Sequence, residues 1–130
     1  MIDRLGRNIT YLRISVTDKC NLRCRYCMPE EGICKKDHSE MLTEDEFITA
    51  VEAAVALGIS KVRITGGEPL LQAGIEDFIA KVKAIGYAVK LDTNGTFPEK
   101  LISLVDKGLV DYVAMDIKNG KENSNRVLNR

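Results

Sequence analysis

The stretch TYLRISVTDKCNLRCRYC, residues 10–27, joins a strand pattern to three closely spaced cysteines. Its first eight residues alternate apolar and polar side chains, which is typical of a β-strand with one buried face. Cys20, Cys24 and Cys27 follow, separated by three and then by two residues. A strand that runs into clustered thiols predicts a sheet with a metal-binding loop at the carboxyl end of its first strand.

Three more strand patterns follow, and a helical pattern stands before each of them. Their sequences are KVRIT at 61–65, AVKLDT at 88–93 and VDYVAMDI at 110–117. Strands that alternate with helices pair in parallel and are joined by right-handed crossovers. We therefore expect an α/β fold with about four parallel strands and covering helices.

Each predicted helix has a start or stop signal, and the first two have an apolar face. Thr43 and Glu46 form a capping box at the first helix, and Pro98 opens the third. The glycines expected to end the helices are Gly58, Gly86 and Gly108. The residues expected to face the core are Phe47, Val51, Ala54 and Val55 in the first helix and Ile75, Phe78, Ile79, Val82 and Ile85 in the second.

A distinctive short motif lies at the end of every predicted strand. The cysteine loop follows the first strand, GGEP at 66–69 follows the second, TNG at 93–95 ends the third, and DIK at 116–118 closes the fourth. The carboxyl ends of parallel strands meet at one edge of the sheet, where such sheets bind their ligands. The four motifs therefore predict an active site at this edge.

One face of the predicted sheet is polar. Arg13, Arg63 and Lys90 alternate with apolar residues in the first three strands, so we expect them on the same face. Because buried charges are costly unless something pairs with them, the three cations predict an anionic ligand. The alternative is an internal salt bridge, for example between Asp92 and one of the cations.

The composition is that of an ordinary globular domain. The chain has 130 residues, and its 19 lysines and arginines balance its 19 aspartates and glutamates. We therefore expect one domain that binds neither nucleic acid nor an anionic membrane surface. The N-terminal MIDRLGRNIT lacks the apolar core of a signal peptide, and no apolar run is long enough to span a membrane. These features predict a cytoplasmic protein, in which clustered cysteines bind metal more often than they form disulfides.

The cysteine cluster supplies three thiols, one fewer than the four ligands of a usual protein metal site. Structural zinc takes four protein ligands, and Cys34 or His38 would be the fourth here. Iron–sulfur clusters are also commonly held by four thiolates, and three thiolates on a four-iron cluster leave one iron open. A third interpretation is that the cysteines are buried thiols that bind no metal. Three cysteines within eight residues of a polar loop make this interpretation unfavourable.

The motif CNLRCRYC resembles the Cys-x-x-x-Cys-x-aromatic-Cys signature of the radical S-adenosylmethionine (SAM) superfamily, and GGEP resembles its second hallmark. The resemblance implies a partial (βα) barrel of the radical SAM type. It implies that Cys20, Cys24 and Cys27 ligate three irons of a 4Fe–4S cluster and that SAM chelates the fourth iron. The reduced cluster would then cleave SAM and release a 5′-deoxyadenosyl radical.

The same resemblance implies which residues contact SAM. Tyr26 would lie close to the adenine, and Gly66 and Gly67 would let the backbone approach the methionine moiety. The other residues expected at the cofactors are Glu68, Pro69, Thr93, Asn94, Asp116 and Lys118.

Residues 1–75 resemble the GTP 3′,8-cyclase family of molybdenum cofactor biosynthesis. The similarity is carried by DRLGRNITYLRISVTDKCNLRCRYCMPEEG and GISKVRITGGEPL. It implies a lyase that acts on GTP, with Arg13 and Arg63 as substrate contacts. It also implies an electron donor such as flavodoxin or ferredoxin.

Residues 76–118 resemble the activases of glycyl-radical enzymes, such as the activase of anaerobic ribonucleotide reductase. Asp92 stands where the cyclases have a threonine that contacts the nucleotide, and Ala114 stands where they have a serine. The activase resemblance implies that Asp116 and Lys118 lie near the polar end of SAM. The alternative partner is then a large glycyl-radical enzyme.

The resemblance also implies how the chain is organised. Residues 1–118 would be a truncated radical SAM core, because such cores usually have six βα units and about four strands are counted here. Residues 119–130 would be a polar, flexible tail. The second cluster-binding cysteine set of the cyclases is absent, and Cys34 cannot supply it. The expectation is a fragment, a truncated reading frame or one part of a larger assembly.

Overall fold

A four-stranded parallel sheet forms the centre of the chain in a computed structural model that describes residues 1–27 and 40–117. The strands are β1 (Tyr11–Ser15), β2 (Lys61–Thr65), β3 (Ala88–Thr93) and β4 (Tyr112–Met115), and they pair in that order. The helices are α1 (Glu44–Ala56), α2 (Ile75–Ile85) and α3 (Pro98–Asp106), with a short 3₁₀ turn at Pro69–Leu71. The predicted α/β fold with four parallel strands is confirmed, although β1 and β4 are shorter than their sequence patterns.

Local signals set the ends of the helices. Thr43 N–H donates to Glu46 Oε2 at 2.7 Å, and Glu46 N–H donates to Thr43 Oγ1 at 3.3 Å, so the predicted capping box is present. Gly86 has a φ of 107° and donates its N–H to the Lys83 carbonyl at 2.9 Å, which ends α2. Glycine takes this left-handed conformation without the steric cost that a side chain would add.

The apolar faces of the strands and helices form one hydrophobic core. The fully buried residues of the two central strands are Val62, Ile64, Val89 and Leu91. The helical residues that join them are Val51, Ala54, Ile75, Phe78, Ile79 and Val82, with Phe47 and Ile85 partly buried. The prediction for Val55 was wrong, because its side chain is 49% exposed. Val55 stands one turn after Val51 but in the last turn of α1, which ends at Ala56, and of α1 only Val51 and Ala54 are buried.

The opposite face of the sheet carries the predicted row of cations. The strand register places Arg13 beside Arg63, Arg63 beside Lys90, and Lys90 beside Tyr112. Like charges on neighbouring strands destabilise a sheet unless a counter-charge lies between them. The row therefore needs an acidic side chain or a bound anion. No helix among the described residues is both long enough and apolar enough to cross a membrane.

Candidate cofactor and substrate site

A cavity of about 450 Å³ opens at the carboxyl edge of the sheet. Its lining includes Cys20, Cys24, Cys27, Arg63, Gly66, Gly67, Thr93, Asn94 and Asp116, all of which were predicted from the sequence. The other described lining residues are Asp18, Leu22, Thr65, Asp92, Ala114 and Met115. The four motifs therefore meet at one cavity, because the strands that carry them are parallel and adjacent.

The three cysteines of the loop differ in exposure. Cys24 is buried, Cys20 is half-buried and Cys27 is exposed. Cys27 N–H donates to the Cys24 carbonyl at 2.9 Å, which closes a tight turn between them. Within residues 1–27 and 40–117, no three His, Cys, Asp or Glu side chains converge to hold a single metal ion. Cys34 and His38 lie outside the described residues, so the zinc alternative stays a prediction.

The GGEP turn packs directly against the backbone that leads into the cysteine loop. Gly67 N–H donates to the Thr17 carbonyl, and Glu68 N–H donates to the Lys19 carbonyl, both at 2.8 Å. A Cβ atom on Gly67 would overlap the Lys19 carbonyl, and one on Gly66 would overlap the Thr17 carbonyl. A contact within the protein therefore requires glycine at both positions. The sequence interpretation considered only the approach of SAM and missed this reason.

Glu68 joins the GGEP turn to the end of β3. Its side chain is 0% exposed, and Oε1 accepts hydrogen bonds from the Thr93 hydroxyl at 2.8 Å and from Leu70 N–H at 3.1 Å. Oε2 accepts a hydrogen bond from Asn94 N–H at 2.7 Å. These three donors compensate the carboxylate for the water that it loses on burial.

Neither Glu68 nor Pro69 is among the described residues that line the cavity, and both are buried behind it. Thr93 does line the cavity, although its hydroxyl is already bonded to Glu68. Glu68 therefore positions the ends of β2 and β3 relative to each other. Its direct contact with a cofactor stays a prediction of the resemblance.

A closed ring of side-chain hydrogen bonds joins the cysteine loop to the TNG turn. Asn94 Nδ2 donates to Asn21 Oδ1 at 3.0 Å, and Asn21 Nδ2 donates to Thr96 Oγ1 at 2.9 Å. Thr96 Oγ1 in turn donates to Asn94 Oδ1 at 2.7 Å. Sequence reasoning missed Asn21, which stands inside the cysteine motif, and Thr96, which directly follows TNG, and the only signal for them was their polar side chains.

Arg63 and Asp92 form an ion pair on the polar face of the sheet. Arg63 Nη2 and Nε lie 2.6 and 2.7 Å from Asp92 Oδ2. The hydrogen bond and the charge of Asp92 raise the pKa of Arg63 above its ordinary value. The salt-bridge alternative is confirmed for this cation, whereas Arg13 and Lys90 form no ion pair with any described residue. Asp92 Oδ1 is buried and has no hydrogen-bond partner in the described part of the chain.

The remaining predicted residues lie at the margin of the site. Tyr26 is 65% exposed and is not among the described residues of the cavity lining, so its place beside the adenine stays a prediction. Arg13 is exposed on β1. Asp116 lines the cavity, and its N–H donates to the Thr93 carbonyl at 2.9 Å. Lys118 lies outside the described residues.

A parallel sheet with a three-cysteine loop and a glycine turn at one edge defines an α/β protein with a cavity at its strand ends, which is where such sheets bind their ligands. The family model of the radical SAM superfamily matches residues 14–130. The chain belongs to the radical SAM superfamily. The cofactors of this superfamily are a 4Fe–4S cluster and SAM.

The chain is also similar to curated GTP 3′,8-cyclases. It is 53% identical over 112 residues to that of Alkaliphilus oremlandii and 49% identical over 112 residues to that of Geobacter sulfurreducens. These matches cover 84% of this chain and 35% and 34% of the two relatives. The GTP 3′,8-cyclase of Clostridium botulinum (strain Hall) is 39% identical over 132 residues, which is 100% of this chain and 41% of that protein.

The chain thus spans about a third of the length of the first of these relatives. With 112 or more aligned residues, the similarity to cyclases extends beyond residues 1–75, where the sequence interpretation had placed its limit. The resemblance of residues 76–118 to activases stays a prediction.

Proposed function

We propose that the chain holds a 4Fe–4S cluster at Cys20, Cys24 and Cys27 and binds SAM beside it, in the cavity at the strand ends. The observation that carries this proposal is that the three thiols, the two glycines of GGEP and the first two residues of TNG line one cavity. Three thiolate donors fit a cluster with one iron left for another ligand. When bound and reduced, the cluster supplies the electron that cleaves SAM into methionine and a 5′-deoxyadenosyl radical.

The protein's own contribution is to shape this cavity before the cofactors enter it. Gly67 and Glu68 tie the end of β2 to the segment after β1 through two backbone hydrogen bonds. The Glu68 carboxylate ties the same turn to Thr93 and Asn94 at the end of β3. Three strand ends are therefore held together without relying on the ligands, which supports a preorganised site.

We infer further that the substrate is GTP and that the chain is part of a GTP 3′,8-cyclase-like lyase of molybdenum cofactor biosynthesis. The supporting observations are the similarity to enzymes named as GTP cyclases and the row of Arg13, Arg63 and Lys90, in which Arg63 lines the cavity. Cationic side chains of this kind bind phosphate groups through charge-assisted hydrogen bonds. We place the protein in the cytoplasm, with a flavodoxin or ferredoxin as the electron donor.

A second candidate is an activase of a glycyl-radical enzyme, and one observation favours it. Asp92 forms an ion pair with Arg63. The pair neutralises one of the three cations in the row that would bind a triphosphate. Stable association with a glycyl-radical enzyme, and no measurable binding of GTP, would support this candidate over the cyclase.

The deciding experiment is anaerobic reconstitution of the chain with iron and sulfide, followed by electron paramagnetic resonance of the reduced protein. We expect the signal of a reduced 4Fe–4S cluster, and a changed signal when SAM is added. Calorimetry with GTP then tests the substrate. A colourless protein that keeps one tightly bound zinc and takes up no iron would refute the cluster and favour a zinc-binding module.

A further inference from the structure

We propose that Asn94 is a positioning residue of the cluster site, because its side-chain amide donates a hydrogen bond to the sulfur of Cys20. Asn94 Nδ2 lies 3.8 Å from Cys20 Sγ, and the same sulfur accepts the backbone N–H of Leu22 at 3.4 Å. The inference rests on the proposed function, in which Cys20 ligates the cluster. It adds a residue outside the cysteine loop that acts on one ligand of the cluster.

The orientation of the Asn94 amide is determined by its other partners. Asn94 Oδ1 accepts the backbone N–H of Thr96 at 3.0 Å as well as the Thr96 hydroxyl at 2.7 Å. A backbone N–H can only donate, so the oxygen of the amide must face Thr96 and the NH₂ group must face the cysteine loop. One hydrogen of that NH₂ group bonds Asn21 Oδ1, and the other is directed to Cys20 Sγ.

The backbone of Asn94 is equally well held. Its N–H donates to Oε2 of the fully buried Glu68 at 2.7 Å, and the preceding Thr93 donates its hydroxyl to Oε1 of the same carboxylate. The amide that faces Cys20 is therefore fixed at both its backbone and its side chain. A donor held in this way adds directional stabilisation to a sulfur without the entropy cost of ordering a free side chain.

A hydrogen bond to a ligating sulfur stabilises negative charge on it. Reduction adds negative charge to an iron–sulfur cluster, so N–H donors to the sulfurs favour the reduced state and raise the reduction potential. Loss of the Asn94 donor should therefore make the cluster harder to reduce. A merely structural role for Asn94 would lower the melting temperature, with any loss of iron following from the weaker fold, and would leave the potential of any assembled cluster unchanged.

The test compares three variants of the reconstituted full chain with the parent protein: Asn94→Ala, Asn94→Asp and Asn21→Ala. Asn94→Ala removes the donor to sulfur, and Asn94→Asp replaces it with a carboxylate while keeping the size and the acceptor for Thr96. Asn21→Ala is the matched control, because it breaks the same ring but leaves the Asn94 donor to Cys20 in place. The readouts are iron content, melting temperature, and the reduced fraction of the cluster in a redox titration followed by electron paramagnetic resonance.

We expect the ratio of reduced to oxidised cluster, at the midpoint potential of the parent protein, to fall about three- to tenfold in Asn94→Ala. Tenfold corresponds to about 59 mV for one electron. The ratio should fall further in Asn94→Asp and change less than twofold in Asn21→Ala. Loss of iron from both Asn94 variants, with an unchanged melting temperature and full iron in Asn21→Ala, would also support a role in positioning Cys20.

The inference is overturned if either Asn94 variant assembles a cluster with the parent potential, or if both lose iron together with a lowered melting temperature. It is likewise overturned if Asn21→Ala shifts the potential as much as Asn94→Ala does. A parent protein that forms no cluster is a different result, because it refutes the proposed function itself.

Discussion

The buried carboxylate of Glu68 accepts the hydroxyl hydrogen of Thr93 at 2.8 Å, so the turn after β2 holds the end of β3. The two residues lie 25 positions apart in the chain and belong to different motifs, GGEP and TNG. The contact holds the two motifs together at the sheet edge where the parallel strands place them. Glu68 therefore shapes its own turn, and it also fixes the backbone of Asn94, whose side chain contacts the cysteine loop.

Substitution of Glu68 by Gln should destabilise the apo chain by about 1–3 kcal/mol, the usual cost of a buried donor left without an acceptor. One of the two N–H groups that the carboxylate now accepts, from Leu70 or from Asn94, would face the new amide NH₂. Chemical denaturation measures the loss. The exposed Glu52→Gln is the control and should stay within about 0.5 kcal/mol of the parent. Equal free energies of unfolding for both variants would contradict the prediction.

Substitution of Cys24 by Ala should abolish the cluster, whereas Cys34→Ala should retain about four irons per chain, as expected for a cluster held by three thiolates. Cys24 is a buried member of the loop that lines the cavity, and its loss removes one of three ligands. Iron analysis and visible absorption after anaerobic reconstitution give the answer. If both variants lost iron to the same extent, Cys34 would be a ligand and the open-iron assignment would be wrong.

Substitution of Gly67 by Ala should disturb the fold and cluster uptake, and not SAM binding alone. The new Cβ would overlap the carbonyl of Lys19, which is backbone and cannot rotate away. We expect a loss of about 2–3 kcal/mol, the upper range for overpacking. Gly6→Ala is a suitable comparison, because no atom lies within 4 Å of its Cβ position and only its φ of 76° adds cost. If the Gly67→Ala protein were as stable as the Gly6→Ala protein, the GGEP turn would not pack closely against the backbone at Lys19.

Substitution of Asp92 by Asn should strengthen GTP binding about tenfold, which corresponds to about 1.4 kcal/mol. Asparagine keeps the shape but removes the charge that pairs with Arg63, so the guanidinium becomes available to a phosphate. Arg63→Ala should act in the opposite direction. Calorimetry with GTP measures both, and Asp106→Asn, an exposed change at the end of α3, serves as the control. Weaker binding in Asp92→Asn would mean that the carboxylate itself binds the ligand.

The Asp111 carboxylate should make stability depend on pH in the acid range. Burial raises its pKa, but hydrogen bonds from Lys83 at 2.9 Å and from Val89 N–H at 2.7 Å outweigh burial and lower the pKa below 3.8. Because the folded-state pKa is depressed, this stabilisation is present above the ordinary pKa and is lost as pH falls through the lower folded value.

Asp111→Asn should therefore be less stable than the parent near neutral pH, and the difference should shrink as the pH falls below about 3.8. Urea denaturation at a series of pH values between about 2 and 7 measures it, with Asp106→Asn as the control. A difference that stayed constant across this range would assign the effect of Asp111 to packing and not to charge.

The sequence by itself determined the order and type of the elements and the edge at which the motifs meet. Alternating apolar residues, the Thr43–Glu46 capping box and the helix-ending glycines are local signals, and each acts within a few residues of its own position. Parallel pairing then follows from the alternation of strands and helices, so the cysteine loop and the GGEP turn had to face the same side. The mistake at Val55 has the same local origin, because periodicity alone does not fix the width of the buried face.

Only the tertiary structure decided how the side chains pair. Arg63 binds Asp92 across 29 residues, and the Asn21–Asn94 and Asn21–Thr96 bonds span 73 and 75 residues. Such bonds depend on strand register and on side-chain rotamers. The spacing of residues in the sequence specifies neither of them. The same holds for Gly67. Only the folded structure shows that a side chain cannot fit at this position, because the Lys19 carbonyl packs against it. Hydrogen bonds are short and directional, so their partners are decided by the fold and not by the local pattern.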